Sequence, residues 1–310
     1  MRKYKYRIIG DTHIDEDCFT ETEHIFSEIL HDEAEHTIFL GDIFHKHNPT
    51  PREINFVLKW FSRFTMNSKE VTVILGNHDV YAGYQTTCLL KYIGIDVVKH
   101  NIMTLPTSIG TIFCGHFFVN ESIDNYNDNP KSIADFSANA KYVFLGHQHR
   151  FQKLTHNAWH VGSTRYVGFG EYDTKLIPKK IGLIDHQGEL TFKDLKTPYP
   201  LKQFSCVKEM YEYYAGRKID TVIYDKIRLK YTSFDTYKKD INKLEPILLP
   251  LYYPIKIKLD FVNKQLVKSY DTEIKPKQVS TKQIVGKWLD SIKDKDVKEI
   301  LKKESSTLCD

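Results

Sequence analysis

Five short polar clusters hold the residues of this chain that could do chemistry: Asp11-Thr12-His13, Gly41-Asp42, Gly76-Asn77-His78-Asp79, Gly115-His116 and Gly146-His147-Gln148-His149. Their donors are carboxylate oxygen, amide oxygen and imidazole nitrogen, with no thiolate among them. That mixture suits Mn, Fe or Zn better than Ca. Seven donors (Asp11, His13, Asp42, Asn77, His116, His147 and His149) exceed the needs of one ion. A pair of ions a few Å apart would use them if one carboxylate bridges, and such a pair turns a shared water into a hydroxide near neutral pH. Asp42 is the natural bridge, being the only carboxylate at its strand end.

Each cluster follows a short apolar, β-branched run. The runs cover residues 6–10, 36–40, 71–75, 111–114 and 141–145. Apolar runs of that length bounded by Gly read as buried strands. Helical spacing lies between the early ones. Residues 21–34 place Ile25, Phe26, Ile29 and Leu30 on one face; residues 51–64 do the same with Ile54, Val57, Leu58 and Phe61, after the breakers Pro49 and Pro51. Strand–helix alternation predicts an α/β layered fold, with the polar clusters converging on one edge of the sheet.

A second unit begins after Thr197-Pro198-Tyr199-Pro200. The pattern predicts a strand over 221–231, a helix over 233–244 and a strand over 253–261, a small β-α-β unit. Residues 262–278 are polar, Lys-rich and contain Pro276, as a linker does. Helical spacing returns over 280–303, with Ile284, Val285, Trp288, Leu289 and Ile292 on one stripe. The expected division is a catalytic domain over 1–197, a capping unit over 198–265, a linker over 266–279 and a helical segment over 280–310.

Composition narrows the class. At 41% hydrophobic and 27% charged, the chain is ordinary for a globular protein. No apolar run approaches the ~20 residues of a membrane span. The start, Met1-Arg2-Lys3-Tyr4, leads straight into a polar strand, so no signal peptide is expected. Five cysteines without a CxxC pair argue against a disulfide framework or a zinc knuckle and favour a reducing, cytoplasmic compartment. Charge is uneven: residues 201–310 carry a net +7 and residues 1–200 a net −3. All 14 histidines lie in the first 200 residues, so the chemistry is expected there.

The order D-x-H, G-D-x-x-H, G-N-H-D, G-H, G-H-x-H resembles the calcineurin-like metallophosphoesterase superfamily, over residues 5 to about 165. The resemblance implies a four-layer α-β-β-α sandwich. It assigns Asp11, His13 and His149 to a first metal, with Asp42 bridging, and Asn77, His116 and His147 to a second that shares Asp42. His78 matches the family's catalytic histidine, placed to protonate or hydrogen-bond the leaving oxygen of a phosphoester.

Within that superfamily, Gly41-Asp42-Ile43-Phe44-His45 and the residues up to Pro51 resemble the SbcD-type nuclease subunit of DNA double-strand-break repair. His45 matches a second active-site histidine there. The resemblance implies a Mn-dependent DNA exonuclease and endonuclease with two divalent ions, of which Mg, Fe or Zn are the other candidates. It implies a DNA-contacting cap, with Arg217, Lys218, Arg228 and Lys230 as candidate contacts. The stripe of Ile284, Trp288, Leu289 and Ile292 would dock on the coiled-coil base of an SbcC-type ATPase. Early helices pair two subunits in that family. Trp60, Phe61 and Phe64 could therefore serve a homodimer face or the chain's own core. Two rival readings are a small-molecule phosphodiesterase or nucleotide phosphatase of the same fold, and a scaffold that has lost its metals.

Overall fold

The structure, a computed structural model, describes residues 3–81, 84–123, 131–168, 171, 177–196, 198–214, 226–231 and 257–261. The chain forms two compact units, Met1–Asp260 and Phe261–Asp310. Within the first, β1 (Tyr4–Ile9) leads to helix α1 (Phe19–Leu30), β2 (Ala34–Phe39), helix α2 (Pro51–Asn67) and β3 (Glu70–Val73). A hairpin, β4 (Val80–Tyr81) and β5 (Tyr84–Gln85), precedes β6 (Asp96–Val97), β7 (Ile102–Leu105), β8 (Ile112–His116) and β9 (Tyr142–Gly146). Then follow β10 (Gln152–Lys153), β11 (Ala158–His160), β12 (Lys180–Ile184) and β13 (Leu190–Asp194).

These strands make two mixed sheets. The first runs β13-β12-β1-β2-β3-β6 and the second β10-β11-β9-β8-β7. β1, β2, β3 and β6 are parallel neighbours, as are β8, β9 and β11. Parallel strands all end on the same edge, so the loops after β1, β2 and β3, and those after β8 and β9, collect the five polar clusters in one place.

Strand alternation sorts the core into layers. Tyr6 and Ile8 of β1 face the second sheet, where Ile38, Ile74, Cys114, Phe144 and Trp159 fill the space between the two sheets. Ile9, on the opposite face, packs with Phe39, Val73, Phe26, Trp60, Phe61 and Phe64 beneath α1 and α2. Across the second sheet, Phe113, Val143 and Leu145 are covered by Val119, Ile133 and Phe136. There the outer layer, among the described residues, is the short helix Ala134–Ser137 with its flanking loops. The fold is thus α/β, with the four layers expected.

The start of α2 follows from its sequence. Thr50 caps it: the Thr50 hydroxyl accepts from the Glu53 amide at 3.2 Å, and a Glu53 carboxylate oxygen accepts from the Thr50 amide at 2.7 Å. Pro51 at the first helical position lacks an amide hydrogen that would have gone unpaired anyway. At its other end, Trp60, Phe61 and Phe64 are 3%, 0% and 0% exposed. They are core, and a homodimer face built on them is ruled out by their burial against Phe26 and Phe39.

Arg7 shows how much the layers depend on polar satisfaction. It points from β1 into the helix layer and is fully buried. Its guanidinium donates to the carbonyls of Ile29 (2.9 Å) and Asp32 (2.7 Å), and to Thr37 Oγ1 at 2.8 Å. It thereby adds a charged donor to the carbonyls at the end of α1, where the Ile29 carbonyl also accepts the Asp32 amide at 3.1 Å.

Past the sandwich, β14 (Leu201–Phe204), β15 (Lys226–Tyr231) and β16 (Ile257–Phe261) form a separate three-stranded sheet. β14 pairs parallel with β15, with the helix Val207–Tyr214 between them in sequence. This β-α-β connection starts one strand earlier than the sequence pattern predicts. Leu201 and Phe204 are both buried although three residues apart, so no period-two alternation marks that strand. The predicted helix over 233–244, the linker and the helices over 280–303 lie outside the described residues. No helix among the described residues is long and apolar enough to cross a membrane.

Replacing Arg7 by leucine should cost about 3 kcal/mol of unfolding free energy, because buried carbonyls lose their charged donor. The urea midpoint measures this; an unchanged midpoint would mean that water takes over those carbonyls.

Candidate metal centre

The five clusters meet where the carboxyl ends of the two sheets come together. Backbone bonds set the approach. Thr12 and His13 donate their amides to the Asp42 carbonyl at 3.1 and 2.9 Å, and Ile14 donates to Ile43 at 2.9 Å. The loops after β1 and β2 therefore continue the sheet for a few residues. From the second sheet, the His147 amide donates to both Asp11 carboxylate oxygens, at 3.1 and 3.0 Å.

So close an approach leaves no room for a side chain at the glycines. A Cβ on Gly76 would sit 2.1 Å from Asp42 Oδ1, and one on Gly10 would sit 1.8 Å from the Gly162 carbonyl oxygen. Among the described residues, the non-glycine positions with left-handed backbone are His13, Asp42 and His147, at φ 45°, 49° and 77°. All three carry donors of the cluster. Backbone of this kind costs of order 1–3 kcal/mol per residue and persists only where its surroundings enforce it.

The side chains form three overlapping donor groups: Asp11, His13 and His149; His13, Asp42 and His78; and Asp42, His116 and His147. His13 Nε2 lies 2.9 Å from His149 Nε2 and 3.6 Å from Asp42 Oδ2. Asp42 Oδ2 is 3.3 Å from His116 Nε2 on its other side. Asp42 Oδ1 accepts the His78 amide at 2.8 Å. Asn77 Oδ1 stands 3.1 Å from His116 Nε2. All seven expected donors are therefore brought together, and the Asp42 carboxylate lies between the two sides.

Burial and neighbouring charge decide which groups are ionised. Burial drives the Asp11 carboxyl up to about 7, opposed by His116 and reinforced by Asp42. Asp42 is also pushed up by burial, but His116, His13 and the His78 amide outweigh this and hold it below the usual carboxylate range. Burial lowers His147 to about 4 and His149 to about 3, and it carries His13 well below its ordinary value. His116 alone of these goes up, to about 9: burial opposes the charge, but Asp11 and Asp42 prevail. Three neutral imidazoles thus offer lone pairs, and two buried carboxylates depend on one protonated histidine for compensation. Divalent cations fit this donor set, since they would supply the positive charge that the His116 proton otherwise provides. The 2.9 Å between the His13 and His149 nitrogens also suits two ligands of one ion at about 2.1 Å each.

Neighbouring groups hold the donors. His116 Nδ1 donates to the Leu40 carbonyl at 2.7 Å, which leaves Nε2 to face Asp42 and Asn77. His78 Nδ1 donates to the His45 carbonyl at 2.6 Å. The His78 ring is nearly parallel to those of His45 and His47, with centroids 6.0 and 5.2 Å away. Sequence reasoning assigned no role to His47, or to Asp79. The buried Asp79 carboxylate accepts the Ile43 amide at 3.0 Å and the Gly76 amide at 2.9 Å, tying the loop after β2 to the loop after β3. Its place in Gly76-Asn77-His78-Asp79 was the available signal. His160 was also missed: its Nδ1 is 3.1 Å from the Gly146 carbonyl and its Nε2 is 2.7 Å from Ser122 Oγ, behind His147.

The basic candidates are placed otherwise. Arg228 is 2% exposed and donates to Gln203 within the small sheet. Its burial turns it away from solvent, which corrects the expectation of a DNA contact there. Lys230 lies on β15. Arg217, Lys218, Ile284, Trp288, Leu289 and Ile292 lie outside the described residues.

Asp42→Ala should lower the Mn bound per chain from two to one or none in equilibrium dialysis, and Gly76→Ala should do the same by displacing the Asp42 carboxylate. Two ions retained in both variants would remove Asp42 from the bridging position.

Comparison with known proteins agrees with the geometry. Residues 4–151 match the sequence model of the family described as calcineurin-like phosphoesterase. No curated protein matches the chain. Similar solved structures include Vps29 from Entamoeba histolytica, at 12% identity and TM-score 0.37, covering 62% of this chain and 99% of that one. The nuclease MPE of Pseudomonas putida has 16% identity and TM-score 0.34, covering 61% and 87%. A protein described as a putative diadenosine tetraphosphatase has 14% identity and TM-score 0.36, covering 62% and 94%. By its sequence model, then, the stretch 4–151 is similar to the calcineurin-like phosphoesterases, and the donor groups it brings together suit a metal-dependent phosphoester hydrolase.

Proposed function

We propose that the chain is a metal-dependent DNA nuclease subunit, hydrolysing phosphodiester bonds in repair and recombination beside an SbcC-type ATPase. The observation that carries the hydrolytic part is the position of His78, whose amide grips the Asp42 carboxylate while its ring packs edge-on against His13, with centroids 5.0 Å apart. The nucleic-acid part rests on the likeness of residues 41–51 to the SbcD-type family, and on the net +7 of residues 201–310.

Two divalent cations, when bound, supply an acidified water and neutralise charge on the phosphoryl oxygens. Asp11, His13 and His149 would hold one; Asn77, His116 and His147 the other; Asp42 would serve both. The protein's own part is orientation. Because the His78 Nδ1 proton is committed to the His45 carbonyl, Nε2 is the nitrogen that holds or gives a proton at the leaving oxygen. His45 thus fixes the ring of His78 through its backbone, and its own half-buried imidazole stands beside it. Mn suits the carboxylate–imidazole mixture. The segment 280–310 is the proposed docking element for the ATPase.

His78→Ala should abolish Mn-dependent cleavage of end-labelled duplex and single-stranded DNA, and of bis-p-nitrophenyl phosphate, while both ions still bind. Full activity in the variant would refute the role of His78. Wild-type protein that cleaves the small ester but no DNA, even with the ATPase present, would favour a small-molecule phosphodiesterase. Deleting residues 280–310 should abolish binding of the ATPase and spare hydrolysis of the small ester; binding that persists would place the docking surface elsewhere.

A further inference from the structure

The two sides of the metal centre are braced differently. On one side, His116 is held by its ring, through Nδ1 on the Leu40 carbonyl. On the other, His13 Nδ1 is buried and has no hydrogen-bond partner among the described residues. A metal-binding histidine ordinarily has its second nitrogen held by an acceptor. His13 lacks that brace, and its backbone is left-handed, so something else must fix it.

Two buried cations stand behind this pair. Arg165 is 5% exposed, and its guanidinium donates to the His13 carbonyl, with Asp15 Oδ2 3.8 Å away. Lys179, just before β12, is 3% exposed; its Nζ donates to the His149 carbonyl at 2.8 Å and to Ser163 Oγ at 2.9 Å, and forms an ion pair with Glu171. Ser163 Oγ lies 2.7 Å from the Arg165 carbonyl, and the Ser163 amide donates to the His149 carbonyl at 3.0 Å. The Arg165 side chain thus reaches the carbonyl of His13, and its own carbonyl is linked by hydrogen bonds through Ser163 and Lys179 to the carbonyl of His149.

We propose that Arg165 and Lys179 are positioning residues: they hold His13 and His149 by their backbones at the spacing one cation needs, and so set the affinity of that site apart from its neighbour's. The proposal rests on the two-cation reading of the centre. Burying two cations is costly, and a neutral donor could have satisfied either carbonyl. A cation gives a stronger and shorter hydrogen bond, which suits two carbonyls whose imidazole nitrogens must stay 2.9 Å apart. The carboxylates of Asp15 and Glu171 face the clamp from outside and balance its charge.

Mn titration of the full chain by calorimetry, with Mn electron paramagnetic resonance to distinguish paired from isolated ions, tests this. Lys179→Met should weaken one of the two sites by about ten- to a hundredfold and change the other by no more than about twofold. In a His149→Ala background the same substitution should change nothing further, because the ligand it positions is gone. Arg165→Met, tested against His13→Ala, repeats the experiment should Lys179→Met fail to fold. The proposal is overturned if both sites weaken together in step with the melting temperature, or if neither moves. A wild-type chain that binds fewer than two ions would instead overturn the two-cation reading, and this proposal with it.

Discussion

Everything at the carboxyl edge of this sandwich depends on keeping two carboxylates buried close together. Asp11 follows β1 and receives the His147 amide from the other sheet. Asp42 follows β2 and receives the His78 amide. Each carboxylate thus draws a loop from another strand onto itself. Burial works against the charge of both; His116, His13 and the His78 amide hold Asp42 low, whereas Asp11 stays raised to about 7 and would need the cations that the site would hold. The acidic pair is a cost to folding and the origin of the site's affinity for positive charge.

That cost is borne by the sandwich beneath. Three donors sit on left-handed backbone and the loops approach at Gly10 and Gly76 too closely for a side chain, so the sheets must deliver their ends accurately. The parallel order of β1, β2 and β3 supplies direction. The apolar layer of Ile8, Ile38, Phe144 and Trp159 between the sheets supplies rigidity. Arg7 and Asp79 do the same work with polar groups: one holds the end of α1, and the other ties the loop after β2 to the loop after β3.

Positioning and chemistry are divided between residues. His78 projects beside the donors with its tautomer set by the His45 carbonyl, and the His47 ring stacks on it. The proposed clamp of Arg165 and Lys179 works from behind, through carbonyls. Such layering lets the reactive groups stand on loops while their geometry is set by residues buried behind them.

The sequence by itself determined the chemistry. Five Gly-bounded clusters, each after a β-branched run, identify the donors, and their order identifies the domain, because a strand end is a local feature that residue types and spacing encode. The helices α1 and α2 were legible for the same reason, through periodicity and the Thr50–Glu53 cap. What the tertiary structure alone decided is which distant groups meet. Nothing near Lys179 marks a site, since a single lysine carries no period. Trp60, Phe61 and Phe64 fit a core or an interface equally well until Phe26 and Phe39 are seen against them. Arg228 looked like a surface cation in a basic segment, yet β14 places Gln203 beside it and buries it. Contacts between residues far apart in the chain depend on sheet order and register, which local pattern does not specify.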